Sequence, residues 1–148
     1  MYNCRTKWNI VMIDTKVSYQ IAFETDFATV SYNKESKLVI LVWKKNSDSE
    51  NYRYVFNKTL EFAAENKMAY FVSDITKQKL MSPTDRKWFE NTILPQAVEL
   101  GLKKAAAVYD GNAFKKYYLT NIMNKVKSFS IPFKFFSSVD EAINWLFQ

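Results

Sequence analysis

Residues 38–43 read Leu-Val-Ile-Leu-Val-Trp, an apolar run that no polar side chain interrupts. Turn chemistry precedes it at Asn33-Lys34-Glu35-Ser36, and Lys44-Lys45-Asn46 follows it. The run is short for a helix, rich in β-branched residues and without alternation. Those properties predict a β-strand covered on both faces. A strand with two dry faces requires a layer on each side of its sheet, so the rest of the chain must supply those layers.

The flanking patterns supply them. Upstream, Val17, Tyr19, Ile21 and Phe23 alternate with polar or small residues, and Ala28, Val30 and Tyr32 repeat the alternation. Period two is the signature of strands, and the first third reads as a β-meander. Residues 1–16 fit no period and read as an arm or as an extra strand around Ile10–Ile13. Downstream, Ser47-Asp48-Ser49-Glu50 has the spacing of a capping box with Ser47 as N-cap. Tyr52, Val55, Phe56, Thr59, Leu60 and Ala63 then recur at helical spacing. A strand at 69–73 ends at Asp74. Ser82-Pro83-Thr84-Asp85 opens a second helix in which Trp88 and Phe89 are expected to anchor the packing. Pro95 is expected to kink that helix and Gly101 to end it. A strand at 105–109 leads to Asp110-Gly111. A third helix spans Phe114 to Val126, with Phe114, Tyr118, Ile122 and Val126 as its predicted buried stripe. A strand at 133–136 and a capping box at Ser138–Glu141 complete the chain.

The order is a β-meander followed by β-α repeats. That predicts an α/β fold with a mixed sheet, parallel in its core, whose strands at 69–73, 105–109 and 133–136 run parallel to 38–43. No linker or repeat divides the 148 residues, so one domain over 1–148 is expected.

Composition narrows the chemistry. There is no histidine, which removes Ser-His-Asp and Cys-His nucleophile pairs and the commonest zinc ligand. Two glycines are too few for a Gly-rich phosphate loop. The single cysteine, Cys4, can form no internal disulfide and reads as a spare thiol of a reducing compartment. No stretch approaches the ~20 apolar residues of a membrane span. The run at 8–13 lacks a small-residue cleavage site and is cut by Asp14. The expectation is a cytoplasmic protein with no transmembrane segment.

Several segments, in order and spacing, resemble a small bacterial family of STAS-like domains (SpoIIAA-like, anti-sigma-factor-antagonist superfamily). They are Lys37–Lys45, Phe71–Ile75 with its terminal Asp, Trp88–Leu102 with Pro95 and Leu-Gly-Leu, Lys103–Tyr109, and Phe135–Leu146. Together they cover roughly residues 20–148. The resemblance implies a mixed sheet with helices packed on it and a non-enzymatic role, regulatory or ligand-binding, with no cofactor. It also implies kinship with a wider fold whose members bind apolar ligands or lipids. Members of the family carry an Asp-Ser-Ser-Gly-type turn with a phosphorylated serine. The nearest segment here, Ser73 through Ser82, has no Gly and a longer loop, and so departs from that pattern.

Two constellations carry candidate sites. Open α/β sheets bind ligands at the carboxyl ends of their parallel strands. Trp43, Lys44, Asp74 and Asp110 fall there, with Ser82 at a nearby helix start. As a site they would line a crevice for a small ligand or Mg²⁺. On the plainer reading Asp74 and Asp110 close turns, Trp43 is core and Ser82 is an N-cap rather than a phosphosite. The second constellation is charge. Residues 101–134 hold seven lysines against Asp110 alone, a net +6 that equals the whole chain's formal charge. Lys103, Lys104, Lys115 and Lys116 are the candidate anion-binding residues, with Lys115 and Lys116 expected on the solvent side of the third helix. Such a field attracts anionic lipid, nucleic acid or an acidic partner. The segment lacks arginine, the residue of bidentate phosphate recognition, which disfavours nucleic acid. Lysine on an exposed helix is also a plain solubility feature.

Three function classes remain from the sequence. The first is a non-enzymatic domain that binds a small or apolar ligand or a protein partner, with homodimerisation open. The second is a metal-assisted enzyme using Asp74 and Asp110. The third is a weak anion binder acting through residues 101–134.

Overall fold

In the computed structural model, the structure describes residues 18–148. The expectations for the N-terminal arm, for Ile10–Ile13 and for Cys4 lie outside the described residues. The elements run β1 (Gln20–Glu24), β2 (Ala28–Asn33), β3 (Leu38–Trp43), α1 (Ser49–Asn66), β4 (Tyr70–Asp74), α2 (Pro83–Trp88), a π-helical segment (Phe89–Ile93), α3 (Leu94–Glu99), β5 (Lys104–Val108), α4 (Ala113–Lys127), β6 (Phe133–Phe136) and α5 (Val139–Leu146).

The six strands form one sheet in sequence order, β1 to β6. β1, β2 and β3 pair antiparallel, and β3, β4, β5 and β6 pair parallel. The mixed α/β sheet read from the sequence is therefore the observed one. Sequential order with right-handed crossovers places every connecting helix on the same face. α1, the α2–π–α3 rod and α4 cover that face with Val39, Leu41 and Trp43 of β3. α5, which follows the last strand, closes the other face over Leu38 and Ile40. Alternate residues of the 38–43 run thus enter two separate cores, which is why the run has no polar member.

Local chemistry sets the helix ends. The α1 N-cap is Asp48, not Ser47: its carboxylate accepts from Asn51 N at 2.8 Å. A carboxylate also favours the positive end of the helix dipole, and Ser47 lies buried one residue earlier. Tyr32 from β2 reaches the other end of α1, where its hydroxyl donates to the carbonyls of Asn66 and Lys67. The kink expected at Pro95 takes the form of the π segment. Pro95 has no N–H to continue the α-helical ladder, and Leu94 N instead donates to the carbonyl of Phe89, five residues back. Gly101, at φ +108°, ends the rod as expected. Trp88 and Phe89 are partly buried rather than fully so. They pack edge-on against Tyr52 and Phe56 of α1, with ring centroids 6.1 and 5.0 Å apart.

One buried ionic group ties α1 to the rod. Asp85 is 3% exposed and accepts hydrogen bonds from Ser49 Oγ (2.8 Å), Arg53 Nε (2.9 Å) and Ser82 Oγ (3.3 Å). Burial alone would raise its pKa, but the three donors and the Arg53 charge hold it below the usual carboxylate value. A carboxyl depressed on folding stabilises above its unfolded pKa of about 3.9 and loses that contribution as pH falls through the folded value. Asp85→Asn keeps the shape and loses the charge. In urea unfolding at neutral pH it should cost about 2 kcal/mol, and the variant should lose less stability on acidification than the wild type.

Candidate functional site

β5 contributes Ala105, Ala106 and Ala107, and β4 places Ser73 beside Ala107 in the parallel register. On the helix-bearing face, Ala105 lies in register with Phe71 and Val39, and Ala107 with Ser73 and Leu41. The helices above are held off by rings, including Phe56 of α1 and Phe89 of the π segment. A short side chain under a propped layer leaves space. A cavity of about 90 Å³, measured as room for the centre of a water molecule, lies between β4–β5 and the helices α1, α3 and α4. Its wall is almost wholly aliphatic and aromatic, and among the described residues no Lys, Arg, Asp or Glu lines it. A packed interior has few voids large enough for a water molecule, and about 10–15 Å³ by this measure holds one water.

The polar groups at this cavity are few and uncharged. Thr59 Oγ1 donates to the carbonyl of Val55 and is satisfied within α1. The hydroxyls of Tyr52 and Tyr118 lie close enough for each to influence the other's ionisation. Burial raises the Tyr52 pKa well above its ordinary value, and the Tyr118 contact adds to the rise. Burial likewise pushes Tyr118 up to about 12. Both phenols therefore stay neutral at physiological pH. Trp43 and Gln78 are also among the residues that line the space. Trp43 is 1% exposed and Gln78 is 6% exposed, and Trp43 Nε1 and Gln78 Nε2 make no hydrogen bond among the described residues. Trp43 is fixed by stacking on Tyr52, with centroids 5.7 Å apart and planes inclined by 17°.

Gln78 belongs to the loop between β4 and α2, which closes the cavity at the carboxyl end of the sheet. Ile75 and Met81 of this loop are buried beside it. Lys115 latches the loop. Its ammonium donates to the carbonyls of Ile75 (3.0 Å) and Thr76 (3.1 Å) and to Asp110 Oδ2 (3.3 Å). Lys79 N donates to Asn46 Oδ1 at 3.3 Å and ties the same loop to the end of β3.

The residues proposed from the sequence are distributed as follows. Trp43 lines the cavity. Lys44 points away from it, exposed and ion-paired with Glu24 at 2.7 Å. Asp74 Oδ1 accepts from Thr76 N at 3.0 Å, the turn-closing role. Asp110 Oδ1 accepts from Asn112 N at 3.0 Å. That bond, with the Lys115 contact, lowers the Asp110 pKa. Ser82 caps α2 by accepting from Asp85 N at 3.2 Å. Among the described residues no three carboxylates or thiolates come together as a metal-holding group. Of the five crevice residues, only Trp43 reaches the cavity wall.

The lysines do not share a surface. Lys115 is 6% exposed, not on the solvent side, and Phe114 is 73% exposed, not in the buried stripe. The α4 stripe begins one residue later than its sequence pattern indicates, at Lys115, and continues through Leu119, Ile122 and Val126. The two carbonyls and Asp110 provide the partners that a buried ammonium requires. Lys104 donates to the carbonyls of Trp145 (2.9 Å) and Leu146 (3.3 Å), closing the end of α5 on the opposite side of the sheet from α4. Lys103 and Lys116 are exposed. Gln78, Tyr52 and Tyr118 were not singled out as site residues from the sequence. The readable signal was the Ala105–Ala107 run, which places small residues in the middle of a covered sheet.

No protein-family model matches the sequence, and no curated protein is significantly similar to it.

Two outcomes follow from this geometry. Lys115→Ala removes the latch and leaves two carbonyls short of a donor. It should cost about 1–3 kcal/mol, and amide hydrogen exchange at 75–81 should accelerate more than exchange in β3. The tyrosine pair sets an alkaline limit. Its raised pKa values stabilise the fold fully below the unfolded tyrosine value of about 10, and that contribution is lost as pH rises toward the folded values. Stability should decline over this window, and less steeply in Tyr52→Phe/Tyr118→Phe, as followed by tyrosinate absorbance and denaturant midpoint.

Proposed function

We propose that this chain is a non-enzymatic STAS-like domain that works in the cytoplasm by holding a small apolar ligand in the cavity between β4–β5 and the helices. The observation that carries this reading is the cavity itself. It is walled by hydrophobic side chains, bordered by a latched loop and, among the described residues, lined by no charged group. Ligand sites of this kind are concave, mostly apolar and furnished with a few polar groups. A wall whose polar residues offer only hydroxyls, an indole and an amide, with no charged side chain among the described residues, fits storage or sensing of a ligand better than its chemical conversion. The same reading accounts for the turn and cap duties of Asp74, Asp110 and Ser82, which leave no residue of that set for metal-assisted hydrolysis. Ligand occupancy would reach a protein partner through the 75–82 loop, which supplies Ile75 and Gln78 to the cavity wall.

The test is to fill the cavity from the sheet side. Ala107→Leu puts a branched side chain into the space, while its strand position keeps the ladder intact. Overpacking of this kind typically costs about 1–3 kcal/mol. Wild-type protein should take up apolar molecules smaller than benzene, such as cyclopropane, seen as saturable shifts of methyl resonances from Leu119 and Ile122. Ala107→Leu should keep its circular dichroism and lose those shifts. Equal shifts in both proteins would place binding elsewhere and refute the reading.

A further inference from the structure

A second concavity lies between α2, with the π segment that follows it, and α4. It is an open groove of about 600 Å³, measured as room for the centre of a water molecule. One wall presents Arg86, Lys87 and Glu90, and the other Asn121, Asn124 and Lys125. Three cations therefore share the groove with one carboxylate. Lys87 and Lys125 have no ion-pair partner among the described residues. Arg86 donates to the carbonyl of Met81 at 3.0 Å and lies over the Tyr118 ring, which holds its charge in place.

The α4 wall extends past the groove. Positions 114, 117, 121 and 124 are three and four apart, so Phe114 and Tyr117 stand on the same helix face as the two asparagines. Their side chains are 73% and 71% exposed, the most exposed of the large hydrophobic residues described. The fold does not use them, because α4 packs through Lys115, Leu119, Ile122 and Val126. One helix face thus carries two exposed rings at its start and leads into a groove with unneutralised cations. Aromatic rings and arginine are the residues enriched where proteins meet.

The groove chooses among anionic partners. Its concavity suits a chain that enters it better than a flat bilayer. Glu90 lies among the cations, and a nucleic acid, with a charge on every phosphate, would set one of them against that carboxylate. A peptide brings a backbone N–H to Glu90 and acidic side chains to the cations. The amides of Asn121 and Asn124 both donate and accept, as pairing with a peptide backbone requires. Between positions 114 and 125 the helix rises about 17 Å, the length of about five extended residues.

We propose that the groove between α2 and α4 docks an extended acidic segment of a partner protein, whose carboxylates meet Arg86, Lys87 and Lys125 and whose apolar end residue packs on Phe114 and Tyr117. The surface shares no described residue with the cavity wall, and its use does not depend on whether the cavity is filled.

The experiment titrates full-length ¹⁵N-labelled protein with two capped hexapeptides, Leu-Asp-Glu-Asp-Glu-Leu and its uncharged counterpart Leu-Asn-Gln-Asn-Gln-Leu. A leucine at each end lets either chain direction bring one to the rings. The acidic peptide should shift amide resonances of 83–90 and 114–125 saturably and bind about tenfold or more tightly than the uncharged one at low salt, with the preference shrinking at high salt. Lys87→Glu/Lys125→Glu should abolish the preference, and Tyr117→Ala should weaken both peptides severalfold, each with circular dichroism unchanged. Equal binding of the two peptides, no binding of either, or a preference that survives Lys87→Glu/Lys125→Glu would overturn the proposal. A single-stranded run of thymidylates is titrated in parallel, and shifts of the same resonances by it but not by the acidic peptide would make the groove a nucleic-acid site instead.

Discussion

The structure depends on the double burial of β3. Val39, Leu41 and Trp43 enter the core beneath α1, α3 and α4, and Leu38 and Ile40 enter the core beneath α5. A strand dry on both faces commits the chain to two covering layers. With the strands laid down in sequence order, the right-handed crossover rule puts α1, the α2–π–α3 rod and α4 together on one side. That leaves α5 alone to close the other. The asymmetry has a consequence for function. The crowded side carries long aromatic side chains from three helical elements, and they meet the shortest side chains of the sheet, at Ser73, Ala105 and Ala107. Space remains where those two choices coincide.

Much of this architecture was legible in the sequence, because it is written in local patterns. Alternation gave β1 and β2, the unbroken run gave β3, and capping residues with helical spacing gave α1, α2 and α5. The misreadings arose where tertiary contacts override local rules. Ser47 has the capping-box spacing, but the neighbouring carboxylate of Asp48 is the stronger acceptor and takes the cap. In α4, Phe114 looks like a core residue and Lys115 a surface one. The structure reverses them, because the ammonium finds two carbonyls of the 75–82 loop, which are not visible from within the helix, as well as Asp110 just before it. Pro95 was read as a kink, and its missing N–H is accommodated by one wide helical turn.

The site was less legible than the fold. Residues flagged for their chemistry, Asp74, Asp110 and Ser82, are occupied with turns and caps. The residues that shape the cavity are ones that composition treats as filler: three alanines, a serine and a set of rings. Trp43, whose place at a strand end marks it in the sequence, does line the site. Gln78 gave no signal, since its burial follows from a loop held by Lys115 forty positions on and by Asn46 on another strand's end. A polar side chain buried by a distant latch has no local signature.

The central claim is that the space above Ala105 and Ala107 is a site for a guest rather than a packing irregularity. Diffraction from crystals pressurised with xenon tests it most directly, because xenon enters apolar cavities of this kind without needing any specific chemistry. The account predicts a single well-occupied xenon site bounded by Ala107, Phe89 and Leu119, beside the Trp43 ring. A map with no xenon there, and with the side chains of Phe89 and Leu119 closed down onto β5, would contradict it.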